Sequence, residues 1–228
     1  MIETAWRLPP APDPAAPRRL GFAGWPPQGA CFLLLRRFTC MTLLIASIVA
    51  FSVVHLIPAV APALRRSLVA SLGEIGFKAL FSVLSLATLF GVVRGWGAAA
   101  GPVLYAPPAW GWHVTPLFVL AAFILFVASR LPTNVRRKIR HPQLAAVKFW
   151  AFGHLFSNGE WRSVVLFAGL IAWAVVAMIF INKRDGAWTK PGPFTKLQTT
   201  LSTLVGVVAY LVFMKLHLSI IGVSPFPG

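Results

Sequence analysis

Five histidines are the chemically versatile residues of this sequence, at positions 55, 113, 141, 154 and 217. Beyond Met41 the chain has no cysteine, and its only carboxylates are Glu74, Glu160 and Asp185. No GxSxG, P-loop or HExxH motif is present, which argues against the soluble hydrolase, nucleotide-binding and zinc-protease classes. Because neutral imidazole is a usual ligand of haem iron, the histidines are the candidates for a cofactor site.

The composition indicates the elements that must position these histidines. Apolar residues make up 57% of the 228 residues and charged residues only 11%, against about 25% charged residues in soluble domains. The 21 Lys and Arg, against 5 Asp and Glu, lie between long apolar runs and do not form one patch. This pattern predicts a polytopic membrane protein that contacts lipids, and no nucleic-acid partner. The expected fold is an all-α bundle of about six spans, at residues 42–61, 75–93, 113–131, 142–158, 163–182 and 197–217.

The distribution of basic residues predicts the topology. The fourth segment is short for a crossing, but the loops before it and after the fifth segment are both strongly basic and so should both be cytoplasmic. Two cytoplasmic loops require an even number of crossings between them, so segment four crosses too. Loops one, three and five carry 11 Lys and Arg, and loops two and four carry two. We therefore expect a protein of the bacterial inner membrane, with both termini of the six-span body in the periplasm.

The first forty residues differ from the rest. They contain seven of the nineteen prolines and no apolar run long enough to span or to serve as a signal-peptide core. We interpret residues 1–40 as a Pro/Arg-rich disordered arm, or as the product of a start codon assigned upstream of Met41. Residues 41–228 form the transmembrane domain.

Two of the histidines are predicted to lie deep in the membrane. His55 and His154 fall well inside segments one and four, at similar estimated depth, and they could share a metal or haem. The alternative is that each imidazole bonds to a backbone carbonyl.

Arg140 and His141 form a second candidate site. They precede Pro142 at the start of segment four, where a cation and free helical N–H groups would attract an anion or a lipid head group. The alternative there is a helix start flanked by cytoplasmic positive charges.

Several stretches together resemble the NnrU family. They are FSVVHLIPAVAPALRRSLVASLGEIGFKALFSVLSLATL (51–89), PPAW (107–110), RHPQLAAVKFWAFGHLFSNG (140–159) and IGVSPF (221–226). The resemblance covers about residues 41–228. It implies an association with nitrite and nitric oxide reduction, and a relation to the plant and algal 15-cis-zeta-carotene isomerase, a membrane enzyme with a b-type haem.

The resemblance also implies site residues. The isomerase's haem-binding histidines match His55 in VVH (53–55) and His154 in WAFGH (150–154), so these two would bind the iron of a b-type haem. The cysteine of the isomerase motif is replaced here by Ala151, which argues against a switch of iron ligand. No catalytic residue is assigned.

Three functions remain open. The first is a haem-binding membrane protein that acts as a cis-trans isomerase on a lipid-soluble polyene. The second is a non-catalytic factor that supports nitrite or nitric oxide reduction, by handling haem or by contacting a membrane partner protein. The third and weakest is a membrane methyltransferase, because RHP also occurs in isoprenylcysteine methyltransferases, although the Tyr and Gly expected after it are absent.

Overall fold

The chain folds into α-helices joined by short connections. The computed structural model describes residues 28–99 and 101–225, with side chains from Cys40 onward. In this part of the chain the helices are α1 (Gln28–Val60), α2 (Pro62–Ala98), α3 (Gly111–Ala128), α4 (Pro142–Leu155), α5 (Trp161–Asp185) and α6 (Lys196–Ile221), with a short 3-10 helix at Asn134–Arg137. The only strand-like pairing in these residues is an isolated bridge between Val103 and Glu160. The all-α prediction is confirmed.

The first helix begins earlier than expected. Its backbone is helical from Gln28 and continues without a break into the apolar span that ends at Val60. The last part of the predicted arm is therefore helical, and the remainder of it, residues 1–27, lies outside the described residues. The division near residue 41 stays a prediction.

Five helices are long and apolar enough to cross a membrane, at Cys40–Val60, Pro62–Ala98, Gly111–Ala128, Trp161–Asp185 and Lys196–Ile221. The exception is α4, which has 14 residues. It nevertheless lies antiparallel along α3 from end to end. Near the C-terminal end of α3, Arg130 donates a 3.2 Å hydrogen bond to the side-chain oxygen of Gln143 in the first turn of α4. At the other end Gly111 lies directly against the carbonyl group of Phe156. α4 therefore packs beside α3 over its whole length, and the crossing of segment four stays a prediction.

The helices pack as a series of neighbours. α2 packs on α1, α1 on α5, α5 on α4, α4 on α3, and α3 on α6. One core cluster joins α1, α2, α4 and α5, and its buried members are Leu44, Ile48, Val92, Ala99, Ala151, Leu166 and Phe167. A second cluster lies between α3 and α4 and consists of Ala122, Leu125, Ala145 and Ala146. Both histidines of interest lie on helices that pack against α5.

Small residues allow close approach of the helices, as is typical inside membranes. A Cβ on Gly95 would lie 2.7 Å from the backbone of Leu44, and one on Gly206 would lie 2.8 Å from the Cα of Ile124. These contacts hold α2 against α1 and α6 against α3.

The two ends of the bundle differ in their polar residues. At one end, which we call the basic end, Arg184 donates a 2.9 Å hydrogen bond to the carbonyl oxygen of Pro58, so the C-terminal ends of α1 and α5 meet there. The side chain of Asn134 bonds to the carbonyl oxygen of Phe194, which places the start of α6 at the same end. The opposite end carries Trp96, Trp110, Trp112 and Trp161, and we call it the tryptophan end.

α2 contains a break. Gly73 has φ 73° and ψ 167°, a conformation that is essentially restricted to glycine. The residues between Pro62 and the break, expected to be a loop, are helical. Glu74, directly after the break, pairs with Arg65 at 3.4 Å and with Lys78 at 3.5 Å.

Candidate functional site

His55 lies in α1 within a group of aromatic rings. Its Nδ1 is 2.8 Å from the carbonyl oxygen of Phe51, one turn earlier, and its ring stacks on that of Phe51 with centroids 4.0 Å apart. Phe81 of α2 and Trp173 of α5 meet the imidazole edge-on, at centroid distances of 5.2 Å and 5.7 Å. His55 therefore lies where α1, α2 and α5 meet.

His154 lies in the last turn of α4 and has the same local geometry. Its Nδ1 is 2.7 Å from the carbonyl oxygen of Trp150, and its ring contacts those of Trp150 at 5.0 Å and Phe167 of α5 at 4.9 Å. A polar network lies beside this turn: Thr115 bonds to the carbonyl oxygen of Gly153 at 2.8 Å and to Ser157 at 3.1 Å. His154 thus lies near the end of α4 that meets the tryptophan end.

The two imidazoles share a preset tautomer. A carbonyl oxygen can only accept a hydrogen bond, so Nδ1 carries the proton in both cases, and Nε2 has a free lone pair. No group among the described residues bonds to either Nε2. Histidine metal ligands typically have this arrangement, with the second ring nitrogen held by a backbone carbonyl. The two roles considered from sequence, iron ligation and a hydrogen bond to a backbone carbonyl, are therefore compatible. The carbonyl bond uses Nδ1 and leaves Nε2 available to bind a metal.

The structure brings both histidines onto α5 but not against each other. Their contacts on that helix, Phe167 and Trp173, are six residues apart, which corresponds to about 9 Å along the axis. No ring contact or hydrogen bond joins His55 to His154 in the part of the chain that is described. The two points of contact on α5 are therefore about one and two-thirds turns apart.

One buried polar atom beside His55 lacks a partner. The indole Nε1 of Trp173 is inaccessible and has no hydrogen-bond acceptor, and it is the only such buried side-chain atom in the described residues. The same ring contacts Phe51 at 5.1 Å and His55 at 5.7 Å. An unpaired buried N–H costs about 1–3 kcal/mol, so a bound group that carries an acceptor would relieve a cost at this position.

The position of the isomerase cysteine is closed to a ligand here. Ala151 is fully buried in the cluster that joins α1, α4 and α5. Sequence reasoning missed one thiol: Cys40, assigned to the arm, is half-buried and packs against this same cluster. No signal in its own sequence neighbourhood indicated this, because the contact depends on how α1 packs.

Arg140 and His141 lie at the basic end, as predicted. They line an open cavity of about 360 Å³ between the start of α4 and the end of α5. Its remaining lining residues are Ile181, Asp185, Ala187, Trp188 and Thr189.

The other two histidines lie elsewhere: His113 lies in the first turn of α3 beside Trp112, and His217 bonds to the carbonyl oxygen of Val223 near the end of α6. Within the residues described, no three His, Cys, Asp or Glu side chains form a group that could hold a metal ion.

Comparison with known proteins supplies one assignment. The family model described as NnrU protein matches residues 43–225, most of the chain. Comparison with curated proteins and with solved structures gives no match.

Proposed function

Since this chain belongs to the NnrU family, we propose that it is a haem-binding membrane protein in which His55 and His154 are the iron ligands of a b-type haem. The observation that carries the proposal is the shared tautomer, with Nδ1 held by a carbonyl of the same helix and Nε2 free in both residues. A hydrogen bond from the other ring nitrogen fixes the orientation of a histidine ligand and raises its basicity.

The surroundings of the two residues suit a flat apolar cofactor. Aromatic rings line both imidazoles, and the unpaired N–H of Trp173 supplies a donor next to His55. With Ala151 in place of a cysteine, the proposed ligand set is two imidazoles. The residues of α5 that contact the two histidines are about 9 Å apart along the helix axis. To bind one iron, the two imidazoles must therefore approach it from different heights along α5.

A bound haem would supply an iron able to interact with a conjugated double bond and lower the barrier to rotation about it. The protein would then act as a cis-trans isomerase on a lipid-soluble polyene that enters the site from the membrane. This chain's own part in that reaction is to exclude water and to hold the iron through His55 and His154. We place the protein in the bacterial inner membrane, with the termini of the six-span body in the periplasm.

The absorbance spectrum of the protein, purified in mild detergent after expression with ample haem, tests this proposal. We expect a Soret band that is lost or strongly perturbed in His55→Ala and in His154→Ala. His113→Ala is the matched control, since it removes an imidazole at a helix end and should leave the band intact. Cys40→Ala should also leave it intact, because the proposed ligands are imidazoles.

Two results would overturn the ligand assignment. Wild-type protein without a Soret band would show that the histidines are structural. A band that survives both single substitutions unchanged would place the haem on other residues.

The buried Ala151 favours a second candidate function, a non-catalytic factor that supports nitrite or nitric oxide reduction by handling haem or by contacting a membrane partner protein. Incubation of the haem-loaded protein with a 15-cis polyene, followed by separation of the isomers, distinguishes the two. Conversion that depends on His55 and His154 favours the isomerase. A stable haem complex with unchanged polyene favours the non-catalytic factor.

A further inference from the structure

We infer that the cavity at the basic end binds the phosphate of an anionic lipid head group. The cavity holds about 360 Å³, within the size range of small-molecule sites. Two stretches of the chain form it: residues 140–141 before α4, and residues 181–189 at and just after the end of α5. Because α4 and most of α5 separate these stretches in sequence, folding must bring the two walls together, which distinguishes the site from a bare helix terminus.

The charges around the cavity favour an anion. Arg140 donates one 2.8 Å hydrogen bond to the carbonyl oxygen of Gly186, which fixes its guanidinium at the wall and leaves further N–H groups available. Asp185 is the only carboxylate in the lining, and Arg184 binds both of its oxygens, at 2.6 Å and 3.2 Å. Arg140 and His141 also lie within electrostatic range of Asp185, but no ion pair or hydrogen bond joins Arg140 to a carboxylate in the described residues.

A second cation lies near the cavity without lining it. The Nζ of Lys190 is 5.7 Å from the centroid of the Trp188 ring, which is part of the wall. Within the described part of the chain, no acidic side chain contacts Lys190. Lys190 therefore adds positive potential beside the wall, and Arg140 is the cation of the wall itself.

The imidazole of His141 is held by a neighbouring amide. Its Nε2 is 2.8 Å from the side-chain oxygen of Asn182, so His141 donates there and not into the cavity. His141 is also the N-cap of α4 and makes no side-chain capping bond. Pro142, the first helical residue, has no N–H, so the next N–H groups of α4 are the ones left without a cap, and they add positive potential near the cavity.

The position of the cavity favours a lipid over a free anion. It lies at the ends of apolar helices, and its lining combines Arg140 with the apolar Ile181 and the half-buried Trp188. Tryptophan is enriched at membrane–water interfaces, where a ring can cover lipid carbons while cations meet the head group. In the predicted topology this end faces the cytoplasmic leaflet, where anionic lipids attract basic residues at about 1 kcal/mol each.

The test is a titration of the detergent-purified full chain with phosphatidylglycerol, with bound lipid counted by native mass spectrometry. Phosphatidylcholine is the neutral lipid control, and inorganic phosphate tests for a free anion. We expect one phosphatidylglycerol to be retained, and Arg140→Gln to weaken its binding about tenfold or more. Arg137→Gln is the matched control, because it removes the same charge from the same loop but lies outside the cavity.

Each remaining outcome decides the inference. Equal losses in Arg140→Gln and Arg137→Gln would show diffuse attraction with no site. Phosphatidylcholine has the same phosphate with a compensating ammonium group, so its equal retention would show that the cavity does not select a net anionic head group. Competition by inorganic phosphate at the same concentrations would assign the cavity to a free anion. If Arg140→Gln fails to fold, Lys190→Gln removes the nearby second cation and should weaken phosphatidylglycerol binding by a smaller factor. None of these results depends on haem.

Discussion

Trp173 meets the imidazole of His55 edge-on, at a centroid distance of 5.7 Å and an angle of 82°, and its buried N–H has no acceptor among the described residues. Trp173→Phe keeps an aromatic ring in place and removes only this donor and part of the ring area. If the N–H bonds to the proposed cofactor, the variant should hold haem several-fold more weakly, as expected for one lost hydrogen bond of about 1 kcal/mol. The ratio of haem to protein after purification measures this. Trp112→Phe, at the exposed start of α3, is the control, and equal ratios in the two variants would contradict the role of Trp173.

The positive-inside distribution predicts the orientation of the helices. Reporter fusions at Asn134 and Lys190 should both report the cytoplasm, because they lie in the two most basic loops. A fusion at Gly228 should report the periplasm. A cytoplasmic Gly228 would contradict the prediction that the chain crosses the membrane once between Lys190 and Gly228.

The contact between α1 and α2 depends on the absence of a side chain at Gly95. Gly95→Ala would place a methyl group 2.7 Å from the backbone of Leu44 and force the helices apart. We expect a loss of about 1–3 kcal/mol in the free energy of unfolding, as is typical of overpacking. Thermal unfolding in detergent measures the change. Gly97→Ala is the control on the same helix, since nothing lies within 4 Å of its added Cβ, and a similar loss there would indicate a general effect of substitution in α2.

The break in α2 depends on the backbone of Gly73 alone. Its φ of 73° disfavours any side chain, while the space around an added Cβ is open. Gly73→Ala should therefore cost about 1–3 kcal/mol through backbone strain, without a steric clash. The free energy of unfolding in detergent, compared with that of Gly97→Ala, measures it. An unchanged value would mean that α2 straightens without penalty.

Tyr105 gives the loop before α3 a pH dependence. The single proton of its hydroxyl is shared between the carbonyl oxygens of Leu155 and Asn158, and burial raises the pKa of Tyr105 above its ordinary value of about 10. Below that value both the folded and the unfolded chain keep the proton, so stability is unaffected. As the pH rises above about 10, the unfolded chain loses the proton first, and the folded state loses stability. In a Tyr210→Phe background, which leaves Tyr105 as the only tyrosine, alkaline stability curves should fall more steeply than after the further substitution Tyr105→Phe.

Much of the architecture was predictable because each span is an apolar run bounded by charges. The crossing of segment four was predicted from the basic residues on either side of segments four and five, and it stays a prediction, since α4 has 14 residues and is not among the five helices long enough to span a membrane. The contacts of His55 and His154 with different parts of α5 were not predictable, because depth counted from helix ends carries no information on which residues of α5 each ring meets. The cavity beside Arg140 was only partly predictable, since Trp188 and Thr189 reach it through the fold of the loop after α5.

The predicted crossing of segment four, taken with the shortness of α4, has a consequence for the surrounding lipids. Fourteen residues rise about 21 Å, whereas a typical hydrocarbon core is about 30 Å thick. Phe149 and Phe152 of this helix are 40% and 46% exposed, so part of α4 faces lipid directly. Acyl chains next to it must shorten or tilt to match, a hydrophobic mismatch that costs fractions of a kcal/mol per ångström. We therefore expect the bilayer to be locally thinned beside α4, and the protein to partition into the thinner regions of its membrane.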